Sequence, residues 1–434
     1  MVTSALQRNP SLRKSASAAV LPCALLFAAC GGSPLPPDAG PDCRGDGGAP
    51  ARPFGSETDS VFPKGPDLMH TTTRTTVVMW ESADSCAGEV RFGKTPSELT
   101  AQRAPADALR IHEVPLDGLD PDTRYFYQVA SCGLTSPVHD FYTAPPDGAP
   151  IRFTVRGDSQ SFPSRAAQVV AAMVEERPYL NLHLGDMVGD GLVASQWGDE
   201  FFTPLRPLGH HVPTYIAVGN HEHNAPYFYE YVSFPRSLPE DPESESLYSF
   251  TYGNTFFLIL DTNKLFWEVD FGNGIPVETP ISRWVKAELD SEAARRAVWR
   301  IAAGHAPAYN ESWDLGACGQ FTGHLGVREW LLPRLAQHRF HAYLAGHTHA
   351  YERGMVGGVL HVISGGGGGD LDVFCSDVPT TQVARYVHHY LKIEAACDTL
   401  TLTAHDLGSG RPVFDRVVLR ADRWGEIAEE WTAP

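Results

Sequence analysis

The chain has 434 residues, 43% hydrophobic and 20% charged, an ordinary globular composition long enough for two or three domains and a large core. Its formal net charge of −18 argues against a nucleic-acid partner, because phosphate binding leaves a basic footprint. A cluster of buried carboxylates holding cations would also push the charge negative, although plain surface acidity gives the same total.

Arg8, Arg13 and Lys14 precede the short apolar stretch Ala16–Ala29, a leader pattern too short to span a bilayer. The stretch ends "LLFAAC", which resembles a bacterial lipoprotein signal, so residues 1–29 read as a signal peptide with Cys30 lipidated. Phe27 stands where such signals carry Leu, and simple secretion is the alternative. The expected location is outside the cytoplasm, as an outer-membrane or periplasmic lipoprotein or as a secreted protein. Beyond Cys30 there remain Cys43, Cys86, Cys132, Cys318, Cys375 and Cys397, an even number that predicts disulfides in an oxidising compartment. None lies in a CxxC pair, which argues against thiolate metal sites. The pairing is open, although Cys86 with Cys132 would be local to one domain.

Residues 30–60, with "PLPPDAGPDC" and "RGDGGAPARP", have the composition of a disordered linker. From 61 to 145 come short alternating runs, "TTVVMWES", "GEVRFG", "HEVPLDGL", "RYFYQVAS" and "HDFYTAP", separated by turn residues. They predict a small all-β sandwich with Trp80 in its core and Tyr125 as a tyrosine corner. "LDGLDPDTRYFYQV" resembles the fibronectin type III motif. Such a domain is a spacer or a binding wall.

From 151 to 420 apolar strands alternate with amphipathic helices, which predicts an α/β domain, and 421–434 reads as a tail. "SRAAQVVAAMVEERP" places Ala166, Val169, Val170, Met173 and Val174 on one helical face and stops at Pro178. Late strands such as "HHYLKIEAA", "TLTLTAHD" and "DRVVLRAD" extend a sheet.

Five strand-length runs in this region end alike. "IRFTVRGDSQ" runs into Asp158, "YLNLHLGDMV" into Asp186, and "PTYIAVGNHE" into Asn220 and His221. "AVWRIAAGHAP" runs into His305, and "HAYLAGHTH" into His347 and His349. The glycine in each lets strand ends approach a shared centre, and ligands of α/β sheets sit beyond the carboxyl ends of strands. Two carboxylates, an amide and several imidazoles without thiolate suit Zn, Fe, Mn or Co, and they exceed what one ion requires.

The series "GD", "GD", "GNHE", "GHAP", "GHTHAYER" resembles the calcineurin-like metallophosphoesterases. Behind a fibronectin-like domain, "GNHE" and "GHTHAYER" are similar to those of the purple acid phosphatases. The resemblance spans about Val61 to Leu419. It implies a metallophosphoesterase β-sandwich flanked by helices. It also implies a dinuclear centre with Asp158 and His349 on the first metal, Asp186 bridging, and Asn220, His305 and His347 on the second. His221 would stabilise a phosphoryl oxygen or protonate the leaving alcohol, and His324, in "CGQFTGHLG", would contact substrate.

Two positions depart from the family. Gly189 stands where purple acid phosphatases carry the tyrosine that favours Fe(III) and gives the colour, which predicts a colourless protein. "DSQ" puts Gln160 where many members have a metal histidine, so the metals, Fe, Zn or Mn, are left open. His183, His210, His211, His388 and His389 read as structural, and Tyr351, Glu352 and Arg353 as braces for the metal histidines. "GGGGG" at 365–369 lacks the Lys-Ser/Thr of a P-loop and reads as a flexible loop beside the site.

The expected activity is hydrolysis of small-molecule phosphate esters, a monoesterase first, by water activated between two metal ions. Alternatives are a phosphodiesterase or nucleotidase of the same fold, or a surface lipoprotein that binds metal or a phospho-ligand without catalysis.

Overall fold

A computed structural model describes residues 43, 48–105, 107–241, 243–267, 278–313, 316–408, 410–421 and 427–431. The expected leader, 1–29, and lipid site, Cys30, lie outside them. Among the described residues no helix is long and apolar enough to cross a membrane.

The alternating runs after residue 61 form two β-layers joined by one long strand. Thr76–Gly93 pairs antiparallel with Lys64–Met69 and Ala108–Leu116 through its first half, and with Ala101–Arg103 and Arg124–Ser131 through its second. A register shift between Glu81 and Cys86 lets it serve both layers. Val78, Trp80, Val90, Tyr127, Val129 and Phe141 fill the space between. The buried Trp80 indole donates to Ser131 Oγ at 3.0 Å, and the Tyr125 hydroxyl accepts the Asp120 N–H at 3.0 Å, as a tyrosine corner does. A disulfide joins Cys86 to Cys132.

The linker expected over 30–60 is, from Gly48 onward, packed chain. Ala49, Arg52 and Phe54 are buried. The Arg52 guanidinium lies 3.7 Å over the Tyr179 ring, Phe54 stacks on His211 at 5.4 Å, and Tyr179 OH donates to Pro50 O. A disulfide between Cys43 and Cys397 ties this segment to the C-terminal sheet. Composition predicted a tether because prolines and glycines dominate; three anchoring side chains and one cross-link outweigh that average. The N-terminal β-layers are likewise joined to the region that follows. Tyr127 OH donates to His210 O at 2.9 Å, His210 Nδ1 to Pro66 O, and Tyr215 OH to Thr71 O. His210 and His211, read as structural, are buried in this seam.

Beyond residue 150 two seven-stranded sheets face each other. In the first, Thr214–Ile216, Leu180–His183 and Ile151–Arg156 run parallel, followed by antiparallel His389–Ala395, Thr399–Asp406, Val413–Ala421 and Ile427–Trp431. The last strand lies inside the expected tail, so the sheet continues past 420. In the second, Thr255–Ile259, Trp299–Ala303, Ala342–Ala345 and Val359–Ser364 are parallel, with antiparallel strands at both edges. Phe153 meets Phe257 edge to face at 5.2 Å across the sandwich. The inner strands are apolar runs because both of their faces are covered.

Helices close the outside. Pro163–Glu175 starts on a proline, whose missing N–H costs nothing there, and buries Ala166, Val169, Val170 and Met173 against the first sheet's core. Pro280–Leu289 and Leu332–Gln337 cover the second sheet with Ile281, Val285, Leu289 and Leu335. Asp158, Asp186 and Asn220 follow strands of the first sheet, and His305 and His347 follow strands of the second.

Candidate metal centre

The strand ends turn at once, and three turning residues hold left-handed backbone: Asp158 at φ 58°, Asp186 at φ 54° and His347 at φ 75°. Such residues cost roughly 1–3 kcal/mol each and persist where their surroundings over-determine them. Here Asp158 N donates to Gly185 O at 2.9 Å, Ser159 N to Asp186 O at 2.9 Å, and the Asp158 carboxylate accepts His347 N at 2.9 Å. The adjoining glycines permit the contact. A Cβ on Gly219 would sit 2.2 Å from Asp186 Oδ1, and one on Gly346 2.4 Å from Asp158 Oδ2.

Lone pairs then converge. His305 Nδ1 donates to Leu184 O at 2.8 Å, which directs its Nε2 at Asp186 Oδ2, 3.1 Å away, and at Asn220 Oδ1, 3.0 Å away. His347 Nδ1 lies 2.8 Å from the same Asn220 oxygen and 3.2 Å from His305 Nε2. The ligand atoms of Asp186, His305 and His347 all fall within 4.8 Å of one another. Acceptors facing one point repel unless positive charge sits among them. Burial opposes charge on His305, but the Asp186 and Asp158 carboxylates push its imidazole up to about 10. Burial and the charge on His305 push His347 down to about 3. Asp186 is buried, yet His305 beside it holds the carboxyl below its usual range. Oxygen and nitrogen donors in this arrangement fit a Zn, Fe, Mn or Co ion.

A second group adjoins it. His349 donates Nδ1 to Asp370 O and its backbone N–H to Asp372 Oδ2. Its Nε2 lies 3.7 Å from Asp158 Oδ1 and 3.2 Å from Gln160 Nε2. Gln160 Oε1 is buried without a hydrogen-bond partner, an acceptor that a cation would satisfy. Asp158, His349 and Gln160 therefore come together, less tightly than the Asp186 group. His221 donates Nδ1 to Gly189 O at 2.8 Å, and its Nε2 lies 4.0 Å from Asp186 Oδ2 on a half-exposed ring. His324 is anchored through its backbone to Pro307 O, accepts Gly326 N at Nδ1, and is not a member of the tight group.

One residue of the quoted motifs carries more than its sequence context suggests. The buried Glu222 carboxylate accepts the N–H groups of Asp186, Met187, Val188 and Gly219. Its place in "GNHE" was the available signal; the role depends on how two distant turns meet. Other expectations need correction. The glycine run 365–369 is buried rather than flexible, with Gly367 N on Gly157 O and Gly369 N on Asp158 O. Tyr351 and Arg353 both bond Asp415, and Glu352 accepts Glu311 N, Ser312 N and Ser312 Oγ. They brace sheet and loop rather than the histidines themselves. His183 packs on Phe201 and bonds Ser159, and His389 bonds Ser364, as structural residues do.

A family model described as calcineurin-like phosphoesterase matches residues 151–351, and one described as the purple acid phosphatase N-terminal domain matches 63–143. The chain is 27% identical over 319 residues to an uncharacterized protein of Mycobacterium tuberculosis (strain ATCC 25618 / H37Rv), covering 64% of this chain and 59% of that relative. It thus spans about three fifths of that relative's length. It is 26% identical over 363 residues to purple acid phosphatase 23 of Arabidopsis thaliana, covering 68% of this chain and 75% of that one. Several other Arabidopsis thaliana matches are named probable inactive purple acid phosphatases. The fold is similar to that of purple acid phosphatase PPD1 from yellow lupin (Lupinus luteus) seeds. The TM-score is 0.67 at 20% identity, over 82% of this chain and 75% of that one.

Proposed function

The chain belongs to the calcineurin-like phosphoesterases and has a purple acid phosphatase N-terminal domain, and from that premise we propose that it hydrolyses phosphate monoesters at a dinuclear metal site. The observation that carries this reading is the convergence of Asp186 Oδ2, Asn220 Oδ1, His305 Nε2 and His347 Nδ1 on one point. In the proposed assignment Asn220, His305 and His347 would hold one ion, Asp158 and His349 with Gln160 would hold the other, and Asp186 would serve both. Two such ions supply Lewis acidity toward phosphoryl oxygens and lower the pKa of water.

The chain's own groups do the rest. Leu184 O and Asp370 O fix the imidazoles of His305 and His349 with the outer nitrogen occupied and the inner one turned toward the site. Gly189 O does the same for His221, whose Nε2 is left to donate a proton to the departing alkoxide or a hydrogen bond to a phosphoryl oxygen. Three disulfides suit an exported protein.

Reconstitution with Zn, Mn or Fe, followed by assays on 4-nitrophenyl phosphate and its bis-ester, tests the reading. Faster monoester turnover supports it, and faster diester turnover moves it to the phosphodiesterase alternative. Gln160 favours one further reading, a protein that binds metal or a phospho-ligand without turnover; bound metal with no hydrolysis of either ester would select that.

A further inference from the structure

One wall of the site is built from side chains that the chemistry above leaves unused. Trp313 and Phe321 pack on each other with ring centroids 4.8 Å apart. Both lean on the His347 ring, Trp313 at 5.4 Å and Phe321 edge-on at 4.8 Å. Both are half-buried, so ring surface remains open to solvent beside a candidate metal ligand.

The wall is held from behind. Glu352 accepts the N–H groups of Glu311 and Ser312 at 2.7 and 2.9 Å and the Ser312 hydroxyl, which fixes the strand Ser312–Trp313. That strand pairs with Val373–Phe374, and a disulfide joins Cys318 to Cys375. The partner segment follows Asp370 and Asp372, which hold His349. The rings and the histidines of both candidate metal positions thus share one frame. The two rings, inclined at 36° to each other, offer apolar faces with open surface to a planar group.

We infer that Trp313 and Phe321 are specificity-determining residues that stack the leaving group of the ester, so that the preferred substrates carry a planar aromatic ring, aryl or nucleobase. The inference rests on the phosphoesterase reading and deepens it. An aromatic pair of this kind contributes about twofold to tenfold in affinity beyond area burial. Alkyl esters have nothing to stack.

The test uses the metal-loaded full chain and the variants Trp313→Leu and Phe321→Leu, which keep bulk against His347. Steady-state kinetics are compared on phenyl phosphate, adenosine 5′-monophosphate and glycerol phosphate, and calorimetry compares phenylphosphonate with methylphosphonate. The expected result is a KM for the aromatic esters that rises about twofold to tenfold in the variants, with kcat, metal content and the glycerol phosphate KM unchanged. An effect on phenyl phosphate alone assigns an aryl group, and an effect on the nucleotide alone assigns a nucleobase. Equal losses on aromatic and alkyl esters, or no preference of the wild type for phenylphosphonate, overturn the inference and leave the phosphoesterase reading intact. Phenylphosphonate preference that the variants lose, in a protein that hydrolyses none of the esters, removes the phosphoesterase reading and keeps the platform.

Discussion

The Glu222 carboxylate accepts the backbone N–H of Asp186 at 2.9 Å, and its other bonds reach Met187, Val188 and Gly219. A buried acid thereby clamps the turn that aims Asp186 to the turn that aims Asn220. Burial and the neighbouring Asp186 push its own carboxyl up to about 7. Replacing it with Ala leaves four N–H groups without their acceptor, each costing about 1–3 kcal/mol where it stays dry. Glu222→Ala is expected to lower the melting temperature and to weaken metal retention about 10- to 100-fold, with Glu222→Gln between it and wild type. Calorimetry and dialysis against graded chelator check both; unchanged metal retention would show that the clamp does not aim ligands.

His221 and His305 are both close to Asp186 and should fail differently. His221 Nε2 lies 4.0 Å from Asp186 Oδ2, whereas His305 Nε2 lies at 3.1 Å and faces Asn220 as well. His221→Ala is expected to reduce kcat about 10²- to 10⁴-fold with metal content intact. His305→Ala is expected to lose metal. Loss of metal from the His221 variant would move that residue into the ligand set.

The seam between the N-terminal β-layers and the two seven-stranded sheets should be sensitive to acid. His139 and His210 pack ring to ring at 4.4 Å, with His211, Asp140 and Arg206 around them. Burial, with the neighbouring histidines, pushes His139 down to about 2; burial, with His211 and Arg206, pushes His210 down to about 4. Unfolded histidine takes a proton below about 6.5 and these folded ones do not, so the unfolded state binds more protons there. Stability is then full above that pH and is lost as pH falls from 6.5 through 4. Melting temperatures between pH 7.5 and 4.5 should fall, and His210→Gln should flatten the slope, by on the order of 2–3 kcal/mol over the window. A slope that His210→Gln leaves unchanged would assign the acid effect elsewhere.

Gly189 offers no phenolate, and its N–H and carbonyl are engaged by Glu200 and His221. Iron reconstitution should therefore give no purple charge-transfer band. A band would mean that a tyrosine from elsewhere reaches the metal.

The five strand ends were legible because each packs chemistry and backbone instruction into one short string: an apolar run, a glycine, then Asp, Asn or His. The helix ending before Pro178 and the local disulfide Cys86–Cys132 were legible for similar local reasons. What escaped is long-range. Glu222 acts on residues 34–36 positions away, Glu352 on a loop 40–41 positions away, and the rings of Trp313 and Phe321 meet His347 only in the fold. The segment from Gly48 to Ser60 was misjudged because average composition hides Arg52 and Phe54, and the strand Ile427–Trp431 because five residues at a chain end carry little pattern.

Metal content and turnover measured together on wild type and Asp186→Asn test the central claim most directly. Asp186 is buried, lies against His305, and is the residue proposed to serve both donor groups. The wild type reconstituted with Zn, Mn or Fe should hold about two ions per chain and hydrolyse 4-nitrophenyl phosphate, while Asp186→Asn should lose ions and activity together. A wild type that binds no metal, or an Asp186→Asn variant that keeps both ions and near-normal turnover, would contradict the account.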